Sequence, residues 1–389
     1  MNTTVKALFE SVFGGAAELE GFAPGRVNLI GEHTDYNGGR VFPCALNLGI
    51  FCAARKRGDN TLRFYSQNFP DDGIIEFSLG NLRLCGRWTD YPVAVIKTFA
   101  AMGYEITHGA ELAFCGNLPD GSGLSSSAAL EVLTGVMLKG LYGFSVTAQE
   151  LAVFGQFAEN RFIGVNCGIM DQFASAMGKK DCALLLDTAT LALEYAPVPQ
   201  NKAAVVIVNS GVKHSLASSA YNDRRRECET ALAQINEVRK TPSLCALTPD
   251  EFEALQQTVT DSVCRRRAKH AVYENARVTE AANALKNGDV ARFGELMKQS
   301  HVSLRDDYEV SCEELDFLAE CAWNMENVLG ARMTGGGFGG CTVNLVQPGS
   351  VDRFMKTIQT EYQKQFGKTP AVYTAQISGG AALLPTDKG

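Results

Sequence analysis

The chain reads as an α+β protein of two domains, with mixed sheets and packed helices. Three observations predict this. At 389 residues and 41.9 kDa the chain has room for two or three domains of about 150 residues. Its apolar fraction of 46% and charged fraction of 20% belong to an ordinary globular protein with a large core. The order of elements is strand-rich at first, then mostly helical, then strand again, without a clean βαβ alternation. The division is placed at residues 1–185 and 186–389, with no internal repeat or low-complexity linker to mark it.

The most informative segment comes first. Ala23-Pro24-Gly25-Arg26-Val27-Asn28-Leu29-Ile30 reads as an apolar strand with an arginine and an asparagine set into it. Glu32, His33 and Asp35 follow within four positions, and the chain turns at Asn37-Gly38, a pair suited to a type I′ turn. Polar and ionisable side chains crowded beside a buried strand are costly unless something is there to be bound. A small ligand rich in hydroxyl groups would suit them; the competing account is a capped turn with solvated charges.

Strands are expected over 42–53 and 61–64, a helix over 91–102 and a strand over 111–114. Apolar residues at three- and four-residue spacing predict helices over 126–141 and 147–161, with a short helix starting near 167 or 168. A strand pair, 183–187 with 203–209, opens the second half. Residues 218–301 read as mostly helical, 332–346 as glycine-rich loop plus strand, and 351–366 as one more helix.

Two glycine-rich loops invite phosphate chemistry. Gly121-Ser122-Gly123-Leu124-Ser125-Ser126-Ser127-Ala128 joins a strand to a helix. Its glycines let backbone amides approach an anion, and the helix start adds unpaired N–H groups and a positive dipole end. It lacks the Gly-Lys-Ser/Thr ending of a P-loop. The plainer account is a serine cap on a core helix. Gly335 to Gly340 satisfies Gly-x-Gly-x-x-Gly but precedes a strand instead of opening a helix, which excludes the dinucleotide reading. Five glycines in six residues do support a tight turn or a close approach of backbone to ligand.

Asp171 falls in the first turn of a predicted helix, where the dipole alone would favour it. Glu159 falls near the end of the preceding helix, where the dipole disfavours a carboxylate and another partner is implied. The runs Arg224-Arg225-Arg226 and Arg265-Arg266-Arg267 are interleaved with acids and read as solvated helix faces.

Composition excludes several classes. The net charge of −7 provides no overall positive field for nucleic acid. No apolar run approaches the ~20 residues needed to cross a bilayer, and the first 14 residues lack the hydrophobic block of a signal peptide. The expected location is the cytoplasm. Twelve cysteines without a Cys-x-x-Cys pair read as free, mostly buried thiols in a reducing compartment, and five scattered histidines suggest no metal centre.

Taken together, these segments resemble the GHMP kinases, and within them the galactokinases. Pro24 to Asn37 is similar to that family's sugar motif, and Gly121 to Ala128 to its phosphate-binding loop. Cys167-Gly168-Ile169-Met170-Asp171-Gln172 resembles the segment with the catalytic aspartate, and Met333 to Cys341 the third motif. Tyr221 with the arginines after it, and Arg277, also match. The resemblance thus runs from about residue 23 to 341. Ala129 departs from the serine that many relatives carry.

The resemblance implies a two-domain GHMP kinase-like fold with the active site in the cleft between the domains, and ATP-dependent phosphorylation of the anomeric C1 hydroxyl of α-D-galactose, the first committed step of galactose catabolism. It implies Asp171 as base and Arg26 as charge stabiliser. Glu32, His33, Thr34, Asp35, Gly168 and Tyr221 would bind the sugar. The backbone from Gly121 through Ser122, Gly123, Leu124, Ser125 and Ser126 to Ser127 would cradle ATP, Ser66 would touch the nucleotide, and Ser127 with Glu159 would hold Mg²⁺. An aspartate is a poor base for a hydroxyl, so proton removal is expected late in the transfer. The implied partner is a small sugar, with neither nucleic acid nor membrane, and the assembly a monomer or weak oligomer. A silent galactose and ATP sensor and an N-acetylgalactosamine kinase are the alternatives. Sensor relatives carry lesions in the serine loop, whereas Ser125-Ser126-Ser127-Ala128 is intact here.

Overall fold

The computed structural model describes residues 2–119, 122–212 and 217–385. Helix α1 (Asn2–Phe13) leads to strands β1 (Leu19–Asn28), β2 (Arg40–Val41), β3 (Pro43–Lys56), β4 (Thr61–Ser66) and β5 (Ile75–Ser78). Helix α2 (Asp90–Ala101) and strand β6 (Ala110–Gly116) precede three helices: α3 (Ser126–Tyr142), α4 (Ala148–Ala158) and α5 (Met170–Met177). Next come strands β7 (Cys182–Asp187), β8 (Leu193–Pro197) and β9 (Ala204–Asn209), then helices α6 (Ala217–Val238), α7 (Pro249–Leu255), α8 (Ser262–Lys286), α9 (Val290–Asp306) and α10 (Glu313–Trp323). The described chain closes with β10 (Val328–Thr334), β11 (Cys341–Val346), α11 (Val351–Phe366), β12 (Ala371–Ala375) and β13 (Ala382–Leu383).

Among the described residues the strands form three sheets, in the orders β13-β1-β3-β6-β4-β5, β10-β11-β9-β12 and β2-β7-β8. One face of the first sheet is covered by α2, α3, α4 and α5, which share a core of Val93, Phe99, Leu112, Leu133, Met137 and Phe173. Its other face takes α1 through Val5 and Phe9, which meet Ala53 and Ala113. α9 lies against β10, and α10 and α11 bury Leu318, Phe354, Ile358 and Tyr362 against the second sheet. The outcome is the mixed α+β architecture expected, with helices starting and ending near the expected residues.

The differences have local causes. The expected helix over 147–161 starts on a capping box, in which Thr147 Oγ1 accepts from Glu150 N at 3.2 Å. Its last turn then widens: Gly164 N donates to Glu159 O at 2.9 Å, an i to i+5 bond, and the chain leaves through Gly164 in the left-handed region. The sequence reading pairs 183–187 with 203–209, but these strands lie in different sheets, because β8 returns to β7 before β9 begins. Asn37-Gly38 is not a type I′ turn. Only Gly38 has positive φ, and Asn37 ends a short 3₁₀ turn in which its Nδ2 donates to His33 O at 2.8 Å. All twelve cysteines are free, and most are buried.

β10 ends at the glycine-rich loop, so its seating controls that loop. It approaches α9 backbone to backbone: a Cβ on Gly294 would stand 1.6 Å from Leu329 O. Gly294→Ala should therefore destabilise the protein by at least the ~1–3 kcal/mol of an overpacked core, read as a lower urea midpoint with an unchanged slope.

Candidate active site

A cavity of about 320 Å³ opens where the end of β1, the N-termini of α3 and α5, helix α6 and the glycine-rich loop after β10 converge. Its wall carries Arg26, His33, Asp35, Ser127, Glu159 and Asp171, with Tyr221 and Gly336 facing them. Residues distant in sequence thus meet in one place.

Arg26 and Asp171 form its centre. Arg26 Nε and Nη2 donate to Asp171 Oδ1 and Oδ2, each at 2.8 Å, and Nη1 donates to Gly123 O at 2.7 Å. Ser125 Oγ also donates to Asp171 Oδ2, at 2.6 Å. Arg26 Nη2 also lies 2.7 Å from Oδ1, so the guanidinium straddles both oxygens, while the Asp171 side chain remains 34% exposed on the cavity wall. Ser125 can reach Asp171 because it sits in the left-handed region, φ +63°, just before α3 begins. Ser125 thus holds Asp171 in addition to lying in the loop that the resemblance gives to phosphate.

His33 also has positive φ, at +64°, and its Nδ1 is hydrogen-bonded to Tyr36 Oη at 2.8 Å. Tyr36 Oη in turn meets Tyr308 Oη at 2.8 Å. Burial, with the nearby His270 adding to it, pushes the His33 pKa down to about 3, so the ring is neutral at physiological pH. Asp35 is pushed up to about 6, by burial first and then by the charge of Asp171. Gly168 lies so near it that a Cβ there would fall 1.8 Å from Asp35 Oδ2. Tyr221, on α6, stands 5.3 Å from the Tyr36 ring.

Glu32 lines the cavity, yet much of its carboxylate is committed. It pairs with the fully buried Arg332 and accepts from Gly335 N at 2.9 Å. Thr34 does not reach the cavity; its hydroxyl donates to Gly31 O and Arg40 O at 2.9 and 2.6 Å and so braces the motif from behind.

Ser122, Gly123, Ser125, Ser126 and Ser127 line the cavity, while the Leu124 side chain is buried in the core and its carbonyl accepts from Arg26 N at 3.1 Å. Gly121 lies outside the described residues. The N-terminus of α3 behind the serines provides unpaired amides for an anion. Ser66 belongs to a second cavity of about 160 Å³, lined by Phe69, Trp88, Tyr91 and Phe114. Ser126 and Ser127 border both cavities, so an elongated ligand could run from one to the other.

Glu159 is 8% exposed and is pushed up to about 7, by burial first and then by Asp171. Its Oε2 accepts from Gln172 Nε2 at 2.8 Å, and Cys167 Sγ lies at 3.4 Å. Among the described residues no group of three or more His, Cys, Asp or Glu could by itself hold a metal ion. A hydroxyl and a carboxylate on one wall match the sparse, all-oxygen set that Mg²⁺ takes when substrate phosphates complete its shell.

Sequence reasoning missed Arg332, Glu131, Gln172 and Tyr308. A lone charge in an apolar strand before a glycine loop was the available signal for Arg332. The arginine runs are not uniformly solvated. Arg267 is buried and holds Glu227 and Glu309, each at 2.8 Å, and Arg224 donates to Tyr308 O at 2.7 Å. Arg225, Arg226 and Arg266 pair with acids nearer the surface.

A sequence model of the galactokinase galactose-binding signature matches residues 7–56, and the N- and C-terminal domain models of the GHMP kinases match 90–179 and 281–364. Galactokinase from Clostridium beijerinckii is 50% identical over 382 residues, covering 98% of both chains. Galactokinase from Bacillus subtilis is 48% identical, covering 99% of both. The crystal structure of Lactococcus lactis galactokinase complexed with galactose superposes with a TM-score of 0.96 at 44% identity, over 98% of this chain and 100% of that one. Methanococcus jannaschii mevalonate kinase shares the fold, with a TM-score of 0.65 at 17% identity, over 94% and 99% of the chains.

The raised pKa of Asp35 has a consequence for stability. The folded state holds this proton more tightly than the unfolded state, so the contribution is fully present below the ordinary carboxylate pKa and is lost as pH rises through about 6. Asp35→Asn should therefore gain thermal stability relative to wild type between pH 5 and pH 7 (about one unit either side of that midpoint), without ligands. A difference in melting temperature that stays constant with pH would contradict this. His33 and His270 act in the opposite sense, but are common to both proteins.

Proposed function

The chain belongs to the galactokinase family within the GHMP kinases, and we propose that it transfers the γ-phosphoryl group of ATP to the anomeric C1 hydroxyl of α-D-galactose, giving α-D-galactose 1-phosphate and ADP. The observation that carries this reading is the Asp171 carboxylate, gripped by Arg26 and Ser125 yet 34% exposed, in a cavity that also holds the serine loop and Glu159.

Asp171 receives the C1 hydroxyl and orients it toward the phosphate. An aspartate is a poor base for a hydroxyl, so the proton moves to it as the new P–O bond forms. Arg26 sits where negative charge accumulates and needs no rearrangement to meet it. His33, Asp35 and Tyr221 hold the sugar hydroxyls, Gly168 leaves room for them, and Glu32 offers what acceptor capacity Arg332 leaves. Alignment matters because a misplacement of about 1 Å can cost ~10²-fold in rate.

The serine loop, 121–127, and the N-terminus of α3 cradle the phosphates, and the aromatic cavity containing Ser66 takes the nucleoside. Ser127 and Glu159 are suited to Mg²⁺, which when bound would neutralise charge on the phosphates. Their hydroxyl-plus-carboxylate chemistry fits that ion. The sensor reading is not favoured, since Ser125, Ser126 and Ser127 are all in place on the cavity wall.

The active cleft falls between halves proposed as 1–185 and 186–389. Among the described residues no helix is long and apolar enough to cross a membrane. We place the protein in the cytoplasm, as a monomer or weak oligomer.

ADP release from ATP and Mg²⁺ across galactose, glucose, N-acetylgalactosamine, mevalonate and homoserine tests the assignment, with galactose expected to be preferred. Galactose binding without turnover would turn the reading into a sensor, and preference for N-acetylgalactosamine would change the substrate. Asp171→Asn should remove nearly all turnover while galactose still binds. Retention of more than about a tenth of the rate, a barrier change under ~1.4 kcal/mol, would remove the base assignment. Gly168→Ala should displace the Asp35 carboxylate and raise the galactose dissociation constant, leaving that of ATP unchanged, as measured by calorimetry.

A further inference from the structure

Glu131 lies one layer beneath the cavity, on α3, and is 1% exposed. Its Oε2 accepts from Gln172 Nε2 at 2.9 Å. The same nitrogen donates to Glu159 Oε2 at 2.8 Å. One amide thus joins two buried carboxyl groups and ties three helical segments together: α3, the wide turn after α4, and α5. Between two acceptors the side chain can present only its NH₂ group, so its orientation is set by chemistry.

The fold also makes room for this arrangement. Gly155 of α4 faces it, and a Cβ there would come within 2.9 Å of Gln172 Cγ and 3.4 Å of Glu131 Oε2. Glu131 Oε1 and Gln172 Oε1 are buried without a hydrogen-bond partner among the described residues. A core built for stability alone would not leave such atoms unmatched.

We propose that Gln172, held in place by Glu131, is a positioning residue for Glu159, fixing the carboxylate that meets the cation on the ATP phosphates. The inference rests on the assignment of Glu159 made above. Burial, with the charge of Glu159 adding to it, raises the Glu131 pKa well above the usual carboxylate range. A neutral carboxyl still accepts through its carbonyl oxygen and does not compete for the cation.

The test uses the intact chain and measures ATP binding at equilibrium with and without Mn²⁺, beside galactose binding. In the wild type Mn²⁺ should tighten ATP. Gln172→Leu should cut that tightening about 10-fold, as removal of a second layer around a metal commonly does, with galactose affinity unchanged. Glu131→Gln should keep it, because an amide oxygen still accepts from Gln172. Gly155→Ala should lose it even though alanine is the better helix former, a split that a purely structural role would not produce. If Gln172→Leu does not fold, Gly155→Ala carries the test. Full tightening in Gln172→Leu and Gly155→Ala, with loss in Glu159→Gln, overturns the inference and leaves the Glu159 assignment standing. Full tightening in Glu159→Gln overturns both.

Discussion

One guanidinium group organises the reacting centre. Arg26 extends from β1, grips both oxygens of Asp171 on α5 and holds the Gly123 carbonyl in the serine loop. Removing its charge would release three segments at once. Taking such a pair out of water is expensive, and Arg26 is only 3% exposed. The cost is offset by two charge-assisted hydrogen bonds, by the Ser125 hydroxyl and by the partial exposure of Asp171. The side-chain positions of Asp171 and the loop are therefore consequences of where β1 places Arg26.

A second buried pair does the same for the far wall. Glu32 meets Arg332 and the Gly335 amide, and Arg332 also donates to Asn28 O at 3.1 Å. The motif after β1 is thus locked to the strand that launches the glycine-rich loop. Behind it, Glu274 of α8 accepts from Gly31 N at 2.9 Å and pairs with Arg277 at 2.7 Å, which keeps Glu274 ionised, at a pKa of about 2, although it is buried. Between these two pairs stand Tyr36, Tyr308 and His33, whose hydroxyls and ring hold one another in place. Asp171, Glu32 and His33 are thus each gripped from behind, which holds these ligand-facing groups in place.

What could be read from the sequence was what is local. The helical period of 351–366 marked α11, whereas Asp171 in a first turn and Arg26 in a strand took their roles only from the family resemblance. Pairing over long distances was not legible: nothing near Cys182 announces that β7 joins β2 as well as β8. Thr34 looked like a ligand contact because it sits among ligand contacts, yet the 3₁₀ turn rotates it inward. Arg267 looked solvated because its neighbours are charged, while its helix face happens to be the one pressed against Glu227 and Glu309. Gln172 and Glu131 carried no signal, since a glutamine after an aspartate and a glutamate in an apolar helix are both common as surface residues.

The sheet that carries Arg26 has one more property. Its outer strand, β13, pairs Leu383 with Gly21, and Leu384 N donates to Glu20 O at 2.8 Å. During synthesis β1 emerges early and β13 only after nearly all the intervening chain. The sheet therefore waits, one edge open, while the rest of the protein is made, and closes through a contact of very high sequence separation. Until then an unpaired strand edge is exposed to other nascent chains. The strand that carries Arg26 thus gains its second neighbour only once residues 382–383 have been made.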